Sequence, residues 1–231
     1  MRIVRNEPLI KRNGKIGQWS SIAGLITLAG GMYVSIKQPE RFGLTVAALL
    51  VGFTLVQISM HYGSRYGRSP RPDEKLDAGL KGLPGDFVIY HYTTPVPHLL
   101  VGPAGAWVLL PYPQRGLIAF ANNRWRLSGG GFLQSYLRIF GQEGIGNPGR
   151  AAAEGIANVE KFLHQRLGSE NTPTPQAAIV LTDDQATLEA EGSPYPALRL
   201  RNLKEFMRQR ARERTLTSAA LSGLTAAIEA A

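Results

Sequence analysis

The apolar residues of this chain are concentrated in two runs near its beginning, and neither run holds a charged residue. The first run covers residues 19–36, the second covers residues 42–60, and only residues 37–41 separate them. A helix rises about 1.5 Å per residue, so about 18 apolar residues are enough to cross a hydrocarbon layer about 30 Å thick. This pattern predicts a hairpin of two transmembrane helices, with both ends of the chain on one side of the membrane.

Basic residues flank the outer ends of both runs. Residues 1–18 carry five lysines and arginines against the single acid Glu7, and residues 61–72 carry three arginines. Because positive residues collect on the cytoplasmic side of membrane helices, we expect the cell (inner) membrane as the location, with both termini in the cytoplasm. A cleaved signal peptide would also begin with a basic segment. However, residues 33–36 (YVSI) lack the small-residue pattern of a cleavage site, and a second apolar run follows at once.

The net charge follows the same division of the chain. The whole chain carries +9; residues 1–81 hold 12 lysines and arginines against 5 acidic residues, whereas residues 82–231 hold 14 against 12. Two explanations compete for this excess, namely membrane topology and the binding of nucleic-acid phosphates. We favour topology because the excess lies beside the apolar runs.

Small residues recur within the two runs. Gly43 and Ala47 stand four positions apart, as do Ala48 and Gly52. This spacing gives a helix a flat surface that another helix can approach closely. Neither run has an ionisable residue at mid-membrane, so the hairpin offers no candidate for an ion or proton path.

The rest of the chain predicts one α/β domain. Residues 1–66 form the membrane segment, residues 73–214 the domain, and residues 215–231 an alanine-rich tail that favours helix. The middle strands are apolar on both faces, as expected of a mixed sheet that is flanked by helices. The patterns predict helices over residues 73–82, 148–167 and from Asn202, and strands over residues 87–90, 98–101, 106–110, 116–121, 124–127, 177–181 and 197–200.

Several features spread over residues 73–212 are shared with one known family. They are Asp73 and Glu74 at the first helix, residues 98–109 (HLLVGPAGAWVL), Gly116, Trp125, Asn147 and Pro148 at the long helix, and residues 178–182. In this order they resemble the NERD (nuclease-related domain) family. The resemblance implies a restriction-endonuclease-like core and, as the family's chemistry, metal-dependent phosphodiester cleavage.

The positions that the family uses for its site are altered in this chain. The family pattern places an aspartate before the histidine of the second strand and a Glu-x-Lys at the end of the third. This chain has Pro97 at the first position, Leu110 and Tyr112 at the others, and only Glu74 remains as a carboxylate. Metal-dependent cleavage needs several carboxylates around Mg²⁺ and a lysine near the attacking water. We therefore expect neither a cofactor nor enzymatic activity.

Other candidate sites are weaker. His91 and His98 lie on neighbouring predicted strands without a third metal ligand, which favours hydrogen-bonded structure over a metal site. Residues 183–184 follow a strand end and favour a helix start over a pair of catalytic acids. The glycine-rich residues 128–131 and 141–149 lack the spacing of a nucleotide-binding loop. The chain has no cysteine, which excludes disulfides and cysteine-ligated metals.

These observations predict a membrane-anchored, non-catalytic protein whose cytoplasmic domain binds a partner or acts as a scaffold. One alternative is an accessory subunit of a larger membrane complex. Another is a nucleic-acid-binding protein or a metal-dependent nuclease with a relocated site. We expect contacts with membrane lipid and with a protein partner, and no small-molecule substrate. The candidate contacts to phosphate or lipid headgroups are Arg199, Arg201, Lys204, Arg208 and Arg212, with Arg124 and Arg126 as further nucleic-acid contacts.

Overall fold

The computed structural model describes residues 1–67, 69–128, 145–168, 173–213 and 215–230. These residues form two compact units: Asn6–Arg71 make up the first, and Met1–Arg5 join Pro72–Ala231 in the second. The fold is mixed α/β, as predicted. The sequence predicts glycine-rich connections at residues 128–131 and 141–149. Residues 129–131 of the first and 141–144 of the second lie outside the described residues.

The first unit contains two long apolar helices, α1 (Glu7–Lys37) and α2 (Phe42–Tyr62), joined by a 3-10 turn at Pro39–Arg41. Both are long and apolar enough to cross a membrane, and only 11% and 6% of their most apolar windows is buried in the protein. A core helix of a soluble protein would be mostly buried. α1 begins well before the predicted span because Asn6 caps it, accepting a hydrogen bond from the backbone N–H of Leu9 at 3.1 Å.

Glycines allow α1 and α2 to pack closely. A β-carbon at Gly31 would lie 2.7 Å from the β-carbon of Ala48, and one at Gly52 would lie 2.6 Å from the side chain of Leu28. A β-carbon at Gly30 would have nothing within 4 Å. The small residues of the two helices therefore divide into an inner set that packs within the hairpin and an outer set that faces away from it.

The second unit is built from strands and helices, and its strands follow one another in groups along the chain. Its strands are β1 (Arg2–Arg5), β2 (Val88–His91), β3 (His98–Gly102), β4 (Gly105–Tyr112), β5 (Gly116–Ala121), β6 (Arg124–Ser128), β7 (Gln176–Leu181), β8 (Ala186–Glu189) and β9 (Ala197–Arg199). Its helices are α3 (Pro72–Leu80), α4 (Pro148–Leu167), α5 (Leu200–Glu213) and α6 (Ser218–Glu229).

The larger sheet is mixed and has the order β1-β2-β3-β4-β7-β9. β1 lies parallel to β2. Strands β2, β3 and β4 form an antiparallel meander, and β4, β7 and β9 run parallel to one another. Because side chains alternate along a strand, Leu100 and Trp107 pack with α3 and α5, whereas Leu99 and Val108 pack with α4 and α6. Helices therefore cover both faces, which accounts for strands that are apolar throughout.

The smaller sheet has three strands in the order β6-β5-β8. Asn122 and Asn123 form the turn between β5 and β6, with φ values of 52° and 58°. A two-residue type I′ turn needs positive φ at both positions, and asparagine tolerates it better than most residues. The inner face of this sheet buries Ile118, with Trp125 and Leu127 packed beside it.

Two segments that the sequence predicts as flanks belong to the domain. Residues 2–5 read only as part of the basic membrane flank, yet they form β1, with Ile3 opposite Ile89 of β2. The alanine-rich tail forms α6, in which Leu224 and Ile228 are buried against the cluster that contains α4. Both segments are short, and the residues that they pack against are distant in sequence.

Two predicted helix starts are wrong. Asp183 accepts a hydrogen bond from the N–H of Gln185 at 3.0 Å, and strand β8 follows instead of a helix. Asn202 is an interior residue of α5, which begins at Leu200 directly after β9. Aspartate and asparagine side chains stabilise turns as readily as helix starts, so residue type alone does not distinguish the two.

Candidate functional site

The strand positions that the sequence resemblance singles out, Pro97, Leu110 and Tyr112, lie at one end of the larger sheet. Leu99 of β3 lies opposite Val108 of β4, and continuing this antiparallel register places Pro97 opposite Leu110. Tyr112 ends β4 opposite Leu181 of β7. By the alternation of side chains, Leu110 and Tyr112 lie on the face of the sheet that α4 and α6 cover.

Two of these positions are filled by apolar packing. Leu110 packs against the cluster that contains Leu99 and Val108. Tyr112 packs against the smaller cluster around Ile118, and burial raises the pKa of its phenol. Pro97 is exposed, and its carbonyl accepts a hydrogen bond from the N–H of Tyr92 at 2.9 Å. In the parts of the chain that the structure describes, no three His, Cys, Asp or Glu residues are grouped so as to hold a metal ion.

The remaining family position, Glu74, lies in the first turn of α3 and is half-buried. Its neighbour Lys75 donates to the carbonyl of Thr182 at 3.5 Å, and the N–H of Thr182 donates to the carbonyl of Tyr112 at 2.9 Å. The start of α3 therefore lies at the end of the sheet where β4 and β7 finish. Glu74 on the helix and Tyr112 on the strand therefore lie at the same end of the sheet. The hydrogen bonds of Lys75 and of the Thr182 backbone connect the helix to the strand there.

Two histidines that the sequence places on neighbouring strands are in direct contact. His91 of β2 lies opposite His98 of β3, and their Nδ1 atoms are 2.8 Å apart. The Nε2 atom of His91 lies 3.0 Å from a carboxylate oxygen of Asp77 on α3. Both rings are buried. The prediction that these histidines form hydrogen-bonded structure is confirmed.

An arginine and a second aspartate extend this contact. Arg5 of β1 donates to the carboxylate of Asp77, and its Nε lies 3.4 Å from a carboxylate oxygen of Asp73. The Nε contact is an ion pair rather than a hydrogen bond, because that atom has no hydrogen-bond partner. Asp73 is fully buried, whereas 25% of the Arg5 side chain is exposed. We call Arg5, Asp73, Asp77, His91 and His98 the buried polar cluster.

The charges of the buried polar cluster follow from its hydrogen bonds. A carboxylate can only accept, so the Nε2 of His91 carries the proton that it shares with Asp77. Burial and then the neighbouring His91 lower the pKa of His98 to about 3, while Asp73 acts weakly in the opposite direction. His98 is therefore neutral at pH 7. This arrangement ties β1, α3, β2 and β3 together, and it suits a structural role.

The sequence reveals only part of the buried polar cluster. Asp73 and Asp77 are four residues apart, which puts both on one face of a short helix. That spacing could have indicated a shared partner. The partner, Arg5, precedes them by 68 and 72 residues, and the histidines sit on later strands. No local pattern connects these segments.

The basic residues of β9 and α5 are dispersed over several environments. Arg208 donates to the carbonyl of Gly82 at 2.9 Å and lies 3.7 Å from Glu205. Gly82 follows the end of α3, where the negative end of the helix dipole favours a cation. Arg201 and Arg212 are exposed, whereas Arg199 and Lys204 are half-buried. Of the five predicted phosphate contacts, Arg208 thus contacts other described residues, and Arg201 and Arg212 present their charge to solvent.

The chain matches no family model, and no curated protein or solved structure is significantly similar to it. Its function must therefore be argued from its own residues. The features that bear on function are the two apolar helices, the filled positions at the end of the sheet, and the buried polar cluster.

Proposed function

We propose that this chain is a membrane-anchored, non-catalytic binding or scaffold protein. In this proposal α1 and α2 cross the cell membrane as a hairpin, and the globular unit lies in the cytoplasm. The domain is a degenerate member of the NERD family with a restriction-endonuclease-like core. Its role is to hold a protein partner at the membrane surface.

One observation carries the non-catalytic part of the proposal. Leu110 and Tyr112, at two positions that the resemblance assigns to the family's site, pack in apolar clusters. A buried carboxylate without partners costs several kcal/mol of desolvation, so replacing the acids by apolar residues stabilises the fold at the expense of metal binding. The substitutions support conversion of a site into core.

The anchoring part rests on the hairpin. The two helices are long and apolar enough to span a bilayer and bury little of their surface in the protein. Lys11, Arg12 and Lys15 in the first part of α1, and the arginines after α2, support cytoplasmic termini. The chain enters the domain at β1 and re-enters it at α3, and Arg5 joins these two elements through Asp73 and Asp77. These ion pairs connect the two elements of the domain that come directly before and after the hairpin in the sequence, which suits a domain attached to the membrane at both points.

A nuclease assay with the full chain in detergent micelles tests the non-catalytic assignment. We expect no cleavage of DNA or RNA with Mg²⁺ or Mn²⁺. Glu74→Ala removes the one retained family carboxylate, and Glu154→Ala, an exposed acid on α4, is the matched control. Metal-dependent cleavage that Glu74→Ala abolishes and Glu154→Ala preserves would contradict the proposal.

A second candidate, an accessory subunit of a larger membrane complex, is favoured by the outer small residues of the hairpin. Gly43 and Ala47 are exposed one turn apart on α2, and a β-carbon at Gly43 would have nothing within 4 Å. A partner helix could approach there. Proteins that co-purify from native membranes separate the two candidates. Loss of the partner in a Gly43→Ile/Ala47→Ile variant indicates binding through the hairpin, and retention indicates binding through the domain.

A further inference from the structure

The outer face of the smaller sheet is exposed and carries opposite charges at its two edges. Its inner face packs on the domain through Ile118, Trp125 and Leu127. The outer face points the other way because side chains alternate along each strand. Its residues are Arg124, Arg126 and Ser128 on β6, Leu117, Ala119 and Ala121 on β5, and Thr187 and Glu189 on β8, with Glu191 just beyond.

The charges are arranged in rows across the strands. Arg126 lies opposite Ala119, and Ala119 lies opposite Glu189, so one row runs from a cation through a small residue to an anion. Arg124 lies opposite Ala121 in the next row, and Glu191 follows the end of β8. Strands are about 4.8 Å apart, so the basic and acidic edges are separated by about 10 Å of backbone.

A shallow groove lies along the acidic edge. Its volume is about 420 Å³, and Ala119, Ala121, Glu189 and Glu191 contribute to its lining. Among the described residues, none of the four charged side chains forms an ion pair or a hydrogen bond within the chain. Within the described part of the chain, the face therefore presents two unpaired cations, a floor that includes small residues, and two unpaired anions.

We propose that this face binds the same face of a second copy of the chain. The two copies are related by a two-fold axis that runs parallel to the strands, above β5. This operation exchanges the positions of β6 and β8 and keeps each row at its own height along the strand. Arg126 of one copy then lies over Glu189 of the other, and Arg124 lies near Glu191.

The charge pattern selects this axis over the alternatives. A two-fold axis across the strands would place β6 over β6 and bring arginine against arginine. Sheets that pack face to face are about 10 Å apart, a gap that arginine and glutamate side chains can bridge together. Leu117 and Ala119 lie on the selected axis and would meet their own copies, which leaves the centre apolar and the rims charged.

The area of the face indicates a weak contact that depends on the membrane. Three strands about 4.8 Å apart and five residues of about 3.3 Å cover about 240 Å² per copy, well below the roughly 800 Å² of a stable interface. The proposal therefore rests on the proposed anchoring, because a shared bilayer raises the local concentration of the two copies. The occupant is a second copy rather than a nucleic acid, since Glu189 and Glu191 would repel phosphate.

Charge reversal with rescue tests the proposal. The full chain is reconstituted in liposomes at a fixed protein-to-lipid ratio, and self-association is measured by energy transfer between labelled copies. Arg124→Glu/Arg126→Glu and Glu189→Arg/Glu191→Arg should each reduce association about tenfold or more, because four exposed ion pairs become repulsive. A mixture of the two variants should restore association, since every contact is paired again. Unchanged association of the single variants, or no rescue in the mixture, would overturn the proposal.

Cysteine cross-linking provides a second readout that does not depend on the charge variants. The chain has no native cysteine, so single cysteines report one position each. With a short bismaleimide, Ala119→Cys should cross-link to its own copy, because it lies on the axis. Arg126→Cys should cross-link poorly to itself and well when mixed with Glu189→Cys. If the chains remain in the liposomes and all positions cross-link equally, or no position cross-links, the dimer is contradicted. Loss of the chain from the liposomes would instead contradict the anchoring.

Discussion

The buried polar cluster should contribute strongly to the stability of the domain, and Arg5→Met tests this contribution. The substitution keeps an apolar stem but removes the guanidinium that lies between Asp73 and Asp77. Asp73 is fully buried and would lose the positive charge that lies 3.4 Å away. The cost arises from this desolvated carboxylate more than from the lost contact.

The magnitude follows from the burial of the two partners. Removing one partner of a buried ion pair costs about 3–5 kcal/mol. A quarter of the Arg5 side chain is exposed, so water screens the pair in part, and we take the lower end, about 3 kcal/mol. If the free energy of unfolding falls by about 2 kcal/mol per molar of urea, the urea concentration at the midpoint of unfolding should fall by about 1.5 M.

Pulse proteolysis of the full chain in micelles, over a range of urea concentrations, measures this midpoint. Arg2→Met is the matched control, because Arg2 lies on the same strand and pairs with Glu229, but these side chains are 52% and 37% exposed. An exposed pair is worth less than about 1 kcal/mol, so the control should move the midpoint by under about 0.5 M. If Arg5→Met moves the midpoint no more than Arg2→Met, the cluster does not clamp the domain.

A double-mutant cycle then separates the ion pair from the shape of the site. Asp77→Asn keeps an oxygen that can accept from His91 but removes the charge that pairs with Arg5. The double variant Arg5→Met/Asp77→Asn should cost at least about 1 kcal/mol less than the sum of the single variants. Simple additivity would show that the two side chains act independently.

Three further predictions concern the histidine pair and the glycines. Because the pKa of His98 is lowered from 6.5 to about 3, the unfolded chain binds a proton that the folded chain excludes between these values. The free energy of unfolding therefore has its full value above about pH 6.5 and falls by roughly 1 kcal/mol per pH unit as the pH falls toward 3. Urea midpoints measured at about pH 7, 6 and 5 should decline less steeply for His98→Asn than for the unmodified chain. Gly102→Ala would place a β-carbon 2.3 Å from a buried phenylalanine ring and should cost about 1–3 kcal/mol, whereas Gly85→Ala meets nothing within 4 Å and should be near neutral in the same assay. Gly31→Val should lower the thermal stability of the helices in micelles, measured by circular dichroism, because the two helices touch there, and Gly30→Val should leave it unchanged.

The elements with a strong local pattern are predictable from the sequence. The apolar runs predict α1 and α2, and α4 follows from its apolar face and from Asn147, which accepts a hydrogen bond from the N–H of Arg150. β3, β4 and β7 carry apolar residues on both faces, as buried strands require. In each case the residues that decide the structure lie within the element itself.

The elements that the sequence misses depend on distant partners. β1 has two arginines among four residues and becomes a strand only because β2, more than 80 residues later, offers an unpaired edge. β8 follows an aspartate turn that resembles a helix start. The buried polar cluster combines residues from β1, α3, β2 and β3, so no local window contains it.

The candidate site shows the same limit. Pro97, Leu110 and Tyr112, at the positions that the resemblance assigns to the family's site, can be read directly from the sequence. That Pro97 falls beside Leu110 depends on the register of the β3–β4 hairpin, which the turn between them fixes. The charged outer face of the smaller sheet needs both the β5–β6 and the β5–β8 pairings, and the second joins strands about 70 residues apart.

The orientation of the chain in the membrane is the most direct test of the central claim. Because there is no native cysteine, Glu40→Cys reports the connection between α1 and α2, and Ser218→Cys reports the globular unit. In intact cells, a membrane-impermeant maleimide should label Glu40→Cys at once and should label Ser218→Cys only after the membrane is permeabilised. Labelling of Ser218→Cys in intact cells, or recovery of both variants in the soluble fraction, would contradict a cytoplasmic domain held by a membrane hairpin.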